Sequence, residues 1–495
     1  VALSPSLHVS RIVTGLWQVA DLEREGGLGL SVDAAVEDLH SAHAAGLTSF
    51  DMADHYGSAE TLMARCPELQ AFTKWVPKPG PEHTTAGAVD AAVRLSLERL
   101  QRERIDLLQF HTWDYLDGPG AWLEQLRLLQ EHPGIANLGV TNFDTAHLQL
   151  ALACNRRVVS NQVCCSLLDR RFLGAMSELC VQKGIKLLSF GVLAGGLLTD
   201  RFLGRGPPTK EELAQSWSLA KYARFIEIFG GWALLQELLG ALSVVAQRHE
   251  VTIANVSARW VLEQPAVAAV IIGARLGHGE HVAENKRTFS FELDAMDRAT
   301  IDEVLNKAQP IPGDCGDEYR RPPFLTASGD LSHHLDNVPN AFEASPLPGH
   351  VVAVPRLAVS SGSIWEAKAG FSRAVQCGSH IYVSGTTAAD PRNGASVVAA
   401  GDAAGQTTFA LDIIEAAIKP LGATLRDIVR TTLYVRDVER DWEAVAWAHG
   451  QRFRALGTPG PANTLVQAAL VGEENLVEVQ AEAILAAGPG GTSSI

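Results

Sequence analysis

From residue 1 to about 310 the chain alternates short apolar strands with amphipathic helices, and nearly every strand ends on a polar residue or a glycine. One unit shows the pattern. DAAVEDLHSAHAAG carries apolar residues at helical spacing and closes on Gly46, a residue suited to a left-handed helix cap, and LTSFD then follows as a strand ending on Asp51. Further strands are expected in IDLLQFH (105–111), NLGVTN (137–142), VVSNQV (158–163), IKLLSF (185–190) and AAVIIG (268–273). Strands separated by helices pair in parallel, which leaves an open doubly wound sheet or a closed (β/α)8 TIM barrel. Two features select the barrel. No GxGxxG follows the first strand, and Asp51, Lys74, His111, Asn142, Gln162, Phe190 with Gly191, and Gly273 all fall at strand C-terminal ends, which a barrel gathers on one face.

The periodicity fails between about 311 and 364, where IPGDCGDEYRRPPFLTASGD and PNAFEASPLPGH are rich in Pro, Gly, Asp and Ser and read as a connecting segment on the surface. A second domain is expected over 365–487. HIYVSG (380–385), IVRTTLYV (428–435) and NLVEVQAEAIL (475–485) read as strands, and QTTFALDIIEAAIKPLG and WEAVAWAHGQRFRALG as helices, together a small α+β sheet with helices on one face. The tail 488–495, GPGGTSSI, is expected to be disordered.

Composition bounds the function. A net charge of −15 disfavours binding to nucleic-acid phosphates or anionic lipid, and no run approaches the ~18 apolar residues of a membrane span. The seven cysteines show no CxxC and no Cys/His metal spacing, so reduced thiols, a cytoplasmic location and no metal are expected. The N-terminus lacks the apolar core of a secretory signal; a removed transit peptide stays open.

Within FDMADHYGSAE, FTKW and IDLLQFH, four residues belong together on chemical grounds: Asp51, Tyr56, Lys74 and His111. A phenol is a poor proton donor at neutral pH, but a nearby ammonium stabilises the phenolate, and a carboxylate can hold that ammonium in place. A histidine from another strand would hydrogen-bond the carbonyl oxygen that the phenol protonates. The set reads as a carbonyl-reducing site.

These three segments resemble the catalytic signatures of the aldo-keto reductase superfamily, (β/α)8 barrels that use NADPH, and the likeness covers roughly residues 8 to 310. The resemblance implies a tetrad of Asp51, Tyr56, Lys74 and His111 with Tyr56 as general acid. Trp17, His55 and Trp113 become candidates for the substrate wall, with core tryptophans and solvated loop residues, such as Asp54 and His55, as the plain alternative. It also implies that Asn142 and Gln162, with help from Thr141, hold the nicotinamide carboxamide. Phe190 would stack on the ring where relatives commonly have Tyr, and Gly191 and Leu193 belong to the cofactor turn that follows. In IIGARLGHGEHVAEN, the resemblance assigns Gly273, Arg275, Glu284 and Asn285 to the adenosine 2′-phosphate and adenine, with His281 as a helper of Arg275; a guanidinium suits a dianionic oxyanion, so NADPH is favoured over NADH.

The pattern GFSRAV, HIYVSGTT, LRDIVRTTLYVRD, PANTLV and VEVQAEAIL resembles the RidA (YjgF) family of enamine and imine deaminases, whose fold is chorismate-mutase-like and whose members form homotrimers. Their carboxylate-binding arginine aligns with Asn463, which lacks the guanidinium fork. Their water-positioning glutamate matches Glu478, and Phe371 stands where many members have Tyr. A trimerisation or ligand-binding module is therefore expected, ahead of a bifunctional enzyme that also hydrolyses imines. The expected activity is NADPH-dependent interconversion of a carbonyl and an alcohol. The rival is a regulatory protein that senses NADPH without turnover.

Overall fold

A computed structural model of the chain describes residues 1–24, 29–78, 80–115, 120–277, 281–320, 341–346, 356–392, 396–457 and 459–486. A hairpin of β1 (Ala2–Ser4) and β2 (Leu7–His8) precedes β3 (Ile12–Gly15), β4 (Ser49–Asp51), β5 (Gln70–Trp75), β6 (Leu107–Phe110), β7 (Leu138–Thr141), β8 (Ser160–Cys164), β9 (Lys186–Phe190) and β10 (Val267–Gly273). These last eight strands close into a barrel in sequence order, β10 returning to β3, and every pairing is parallel. The expected (β/α)8 architecture is what forms.

The barrel interior is packed. Val13, Phe72, Leu107, Leu188 and Ala269 meet the hairpin residues Leu3 and Leu7, which plug the N-terminal end. Function is thereby confined to the opposite end, where the strands finish. Gly46 follows the helix Val32–Ala44 with φ +90°, and Gly184 follows Ala175–Lys183 with φ +72°, so left-handed glycines turn the chain back toward β4 and β9.

The second domain is a seven-stranded sheet made of β11 (Glu343–Pro346), β12 (Arg356–Ser360), β13 (Ala374–Cys377), β14 (His380–Thr387), β15 (Ile428–Val435), β16 (Ala462–Gln467) and β17 (Val477–Ile484). Their spatial order is β11-β12-β13-β14-β17-β15-β16, antiparallel except for β15 against β16. Alternate residues of β14 and β17 are buried, as period-two patterning requires, and two helices, Ala403–Ile418 and Val438–Arg454, cover that buried face. The sheet begins before the expected boundary at 365, because β11 and β12 already belong to it.

Ala403–Ile418 is buried on every side. The sheet takes one side and the barrel helix Thr145–Ala153, itself almost wholly buried, takes another. A helix buried on every side needs such a sandwich, and its polar residues need partners within it. Polar groups lock this junction: His147 lies between Asp144 (2.8 Å) and Asp412 (3.1 Å), while Arg452 reaches Asp412 at 2.5 Å and Glu415 at 2.8 Å. Burial alone would depress the His147 imidazole, but the two carboxylates outweigh it and raise its pKa.

One expectation fails locally. Residues 311–320, read as part of a surface connector, fold back over the mouth of the barrel. Asp314 accepts from the Thr145 N–H at 2.8 Å, and Arg171 joins Asp169 and Glu318 at 2.6 and 2.7 Å. Glu318, Tyr319 and Arg320 are all buried. Charged residues in a Pro/Gly-rich stretch look solvated in sequence, yet here Asp314, Glu318 and Arg320 each find a partner from the barrel. The remainder of the connector, 321–340 and 347–355, and the tail 488–495 lie outside the described residues. No single helix among the described residues is long and apolar enough to cross a membrane.

Candidate active site

A cavity of about 480 Å³ opens at the C-terminal end of the barrel. Its floor is Asp51 at the end of β4. One carboxylate oxygen of Asp51 accepts from Lys74 Nζ at 2.6 Å, and the other accepts from Gln109 Nε2 at 3.0 Å and Gln162 Nε2 at 2.6 Å. Lys74 also donates to the Met52 carbonyl at 2.9 Å. Lys74 is only 2 % exposed, so this is a charge pair held almost dry and oriented by three further donors and acceptors, Gln109, Gln162 and the Met52 carbonyl. Its ammonium sits 5.0 Å from the centre of the Tyr56 ring.

His111, just past β6, completes the group. Burial holds its imidazole well below the ordinary value, reinforced by His55, Arg320, Lys74 and Lys221 around it, so it is neutral at physiological pH. Its Nε2 lies 3.2 Å from Asn142 Nδ2. The structure thus brings Asp51, Tyr56, Lys74 and His111 together in one cavity. His55 borders it too, bonded through Nδ1 to Asp54 at 2.7 Å and set edge-on to Tyr56 at 4.9 Å, rather than being a solvated loop residue. Trp17 forms part of the wall, and Trp113 packs 5.0 Å from the His111 ring.

The expected cofactor positions divide. Thr141, Asn142, Gln162, Phe190, Gly191, Leu193, Gly273, Arg275 and His281 all border the cavity. Asn142 has φ +58°, which turns its side chain inward, and both its Oδ1 and the Thr141 Oγ1 are buried without a hydrogen-bond partner among the described residues. Gln162 has committed its amide nitrogen to Asp51 and Gln109, leaving its carbonyl oxygen for a ligand. Arg275 is partly exposed, 3.9 Å from Asp21. Glu284 and Asn285, by contrast, sit on the short helix Val282–Lys286 and are not part of the cavity wall; Glu284 is engaged by Thr252 at 3.0 Å and Arg287 at 3.3 Å.

Three participants were not anticipated. Gln109 is an internal strand residue whose role depends on Asp51 at the end of β4 and Gln162 on β8. Lys221 lies on the helix Trp217–Phe229, and Tyr319 on the returned segment; both border the cavity and Lys221 donates to the Tyr319 hydroxyl. In the second domain Asn463 on β16 donates to Thr431 Oγ1 at 2.9 Å, and Glu478 on β17 packs against Gly385, its carboxyl raised by burial despite Arg373 nearby. Within one chain the two do not meet: Asn463 pairs with Thr431 on β15, whereas Glu478 pairs with Tyr434 three positions further along the same strand.

Comparison with known proteins agrees with the barrel fold. The aldo/keto reductase family model matches residues 11–306. The chain belongs to this family. A second match, to the family described as Endoribonuclease L-PSP, covers residues 362–485, the RidA/YjgF-like domain. A 6-dehydroglucose reductase of Agrobacterium fabrum is 27% identical over 298 residues, 55% of this chain and 87% of that protein. The solved glycerol dehydrogenase of Gluconobacter oxydans shares the barrel fold at 22% identity and TM-score 0.53, covering 63% of this chain and 96% of its own. A Mycobacterium tuberculosis member of the YjgF/YER057c/UK114 family is 41% identical to the second domain, spanning 26% of this chain and 99% of its own, with TM-score 0.22. As an aldo/keto reductase with oxidoreductase relatives, the protein is a carbonyl/alcohol oxidoreductase acting on a small molecule.

Proposed function

We propose that the barrel is an NADPH-dependent reductase in which Tyr56 is the general acid. The observation that carries this reading is the dry Asp51–Lys74 pair, with its ammonium 5.0 Å from the Tyr56 ring at the base of the cavity. Asp51 holds Lys74 so that its positive charge favours the phenolate left when Tyr56 gives up a proton. Neutral His111 orients the carbonyl oxygen without competing for that proton.

The residues present fit a nicotinamide. Asn142 Oδ1 and Thr141 Oγ1 are buried polar atoms with no partner among the described residues, in a cavity that the Phe190 ring also borders, a combination that suits a planar carboxamide ring. Arg275 and His281, at the rim, suit a 2′-phosphate. A reduced nicotinamide bound there would supply the hydride, which no side chain can donate. Phe190, Trp17 and Tyr319 line the cavity and restrict water, and Asn142 orients the ring bound beside it.

For the second domain, the support favours assembly or ligand binding over imine hydrolysis. Asn463 carries no charge, and the sheet face opposite the helices exposes Tyr382, Val466 and Ile484, apolar residues that a further copy of the chain would cover. The test is direct. Purified protein with NADPH and a panel of aldehydes and ketones should oxidise the cofactor and release the matching alcohol. Cofactor binding with no turnover across a broad panel would favour a sensor instead.

A further inference from the structure

Lys221 is buried in the cavity wall, 6 % exposed, yet the catalytic chemistry above gives it no contact with a reacting group, only a minor share in keeping His111 neutral. Its Nζ faces aromatic rings: Tyr319 at 4.5 Å, Phe190 at 5.1 Å and Trp17 at 5.4 Å from the ring centres. One of its three N–H bonds goes to the Tyr319 hydroxyl, and among the described residues no carboxylate lies within 4.0 Å to balance the charge. Compare Lys74, equally buried but paired with Asp51 at 2.6 Å. An ammonium kept out of water with aromatic faces and one hydroxyl for company is incompletely compensated, and an arriving anion would complete it.

The position of this charge defines what the anion must be attached to. The Tyr319 ring that Lys221 holds stands edge-on to His111, with centroids 5.6 Å apart, and 5.2 Å from Trp113. The cation is therefore one ring away from the site of carbonyl protonation. A molecule whose anionic end rests on Lys221 and the Tyr319 hydroxyl presents its carbonyl to His111 and Tyr56 if the two ends are separated by a few carbon atoms.

We infer that Lys221, positioned by Tyr319, is an anion-binding specificity residue, and that the substrate is a carbonyl compound bearing a carboxylate: a short oxo acid or an acid semialdehyde rather than a neutral aldehyde. This rests on the reductase reading and narrows it. Trp17 and Tyr319 accept the apolar link between the two ends, and a charge-assisted hydrogen bond in a desolvated site favours the acid over an isosteric neutral compound by about 100-fold.

The experiment compares succinic semialdehyde with butanal, and 4-carboxybenzaldehyde with 4-methylbenzaldehyde, measuring kcat/KM for wild type, Lys221→Met and Lys221→Arg, together with the NADPH dissociation constant of each. The expected result is an acid-to-neutral ratio near 100 in wild type, close to 1 in Lys221→Met and partly restored in Lys221→Arg, with NADPH affinity unchanged. A wild-type preference for neutral aldehydes overturns the inference, as does an equal loss for both members of each pair. Weaker NADPH binding in Lys221→Met with the acid preference retained assigns the cation to cofactor phosphate and also overturns it. If no aldehyde is turned over, the reductase reading fails separately; binding of succinate, read by tryptophan fluorescence and absent in Lys221→Met, then still supports the anion site, and equal binding by both proteins refutes it.

Discussion

Replacing Arg452 with methionine removes the cation from a junction that has almost no access to water. The guanidinium contacts Asp412 at 2.5 Å and Glu415 at 2.8 Å, and the three side chains are 7 %, 1 % and 2 % exposed. Stripping one partner from a buried pair leaves uncompensated charge and costs about 3–5 kcal/mol. Asp412 keeps the His147 ring as a partner at 3.1 Å, so the middle of that range, about 4 kcal/mol, is expected. The loss should fall on the C-terminal domain first, because the helix Ala403–Ile418 that carries Asp412 and Glu415 is what the barrel helix Thr145–Ala153 packs on. Urea unfolding followed by tryptophan fluorescence and far-ultraviolet circular dichroism measures this, with Arg94→Ala as the control. Arg94 pairs with Asp90 at an exposed site, so its loss should leave the urea midpoint nearly unchanged. Replacing Arg452, Asp412 and Glu415 together with apolar residues should recover much of the loss, since it is the orphaned charge that is expensive. Arg452→Met within about 1 kcal/mol of wild type, or indistinguishable from the surface control, would refute the reasoning.

Two further outcomes are expected around residues 311–320. Gly316 has φ +82°, and a Cβ there would lie 2.1 Å from the Asn142 carbonyl oxygen, so Gly316→Ala should cost about 1–3 kcal/mol and weaken NADPH binding by displacing the Asn142 loop; thermal denaturation and a cofactor titration check both. The Asp317 carboxyl is pushed up to about 7, first by burial and then by the charge of Asp144. Between the ordinary carboxylate value near ~4 and about 7 the native state keeps a proton that the unfolded chain releases, so stability falls as pH rises through that window. Asp317→Asn should flatten that fall, seen as a smaller drop in urea midpoint between the two ends of the window; an unchanged slope would contradict the assignment.

How much of this was legible in sequence follows from what each element depends on. The barrel strands announce themselves because each combines an apolar run with a polar terminal residue, and Asp51, Lys74, His111 and Asn142 stand at those termini. The site was thus readable from local pattern plus closure of the barrel. The first barrel strand, Ile12–Gly15, and the edge strand Ala462–Gln467 are short or exposed on both faces, so neither carries a strong period. Tyr319 lay in a stretch whose prolines, glycines and acids look like linker, and the only local hint was an aromatic between opposite charges in DEYR. Lys221 sits in the helix Trp217–Phe229, where nothing local distinguishes it from a surface lysine. The His147–Asp412 contact joins residues 265 positions apart, and nothing in either neighbourhood specifies the other.

The central claim is that the phenol of Tyr56, backed by the Asp51–Lys74 pair, delivers the proton as hydride arrives. Single-turnover stopped flow with enzyme, NADPH and a carbonyl substrate, comparing wild type with Tyr56→Phe, tests it most directly. The account predicts that removing this one oxygen slows hydride transfer by about 10²–10⁴-fold while the NADPH dissociation constant stays the same. Hydride transfer within threefold of wild type in Tyr56→Phe would contradict it.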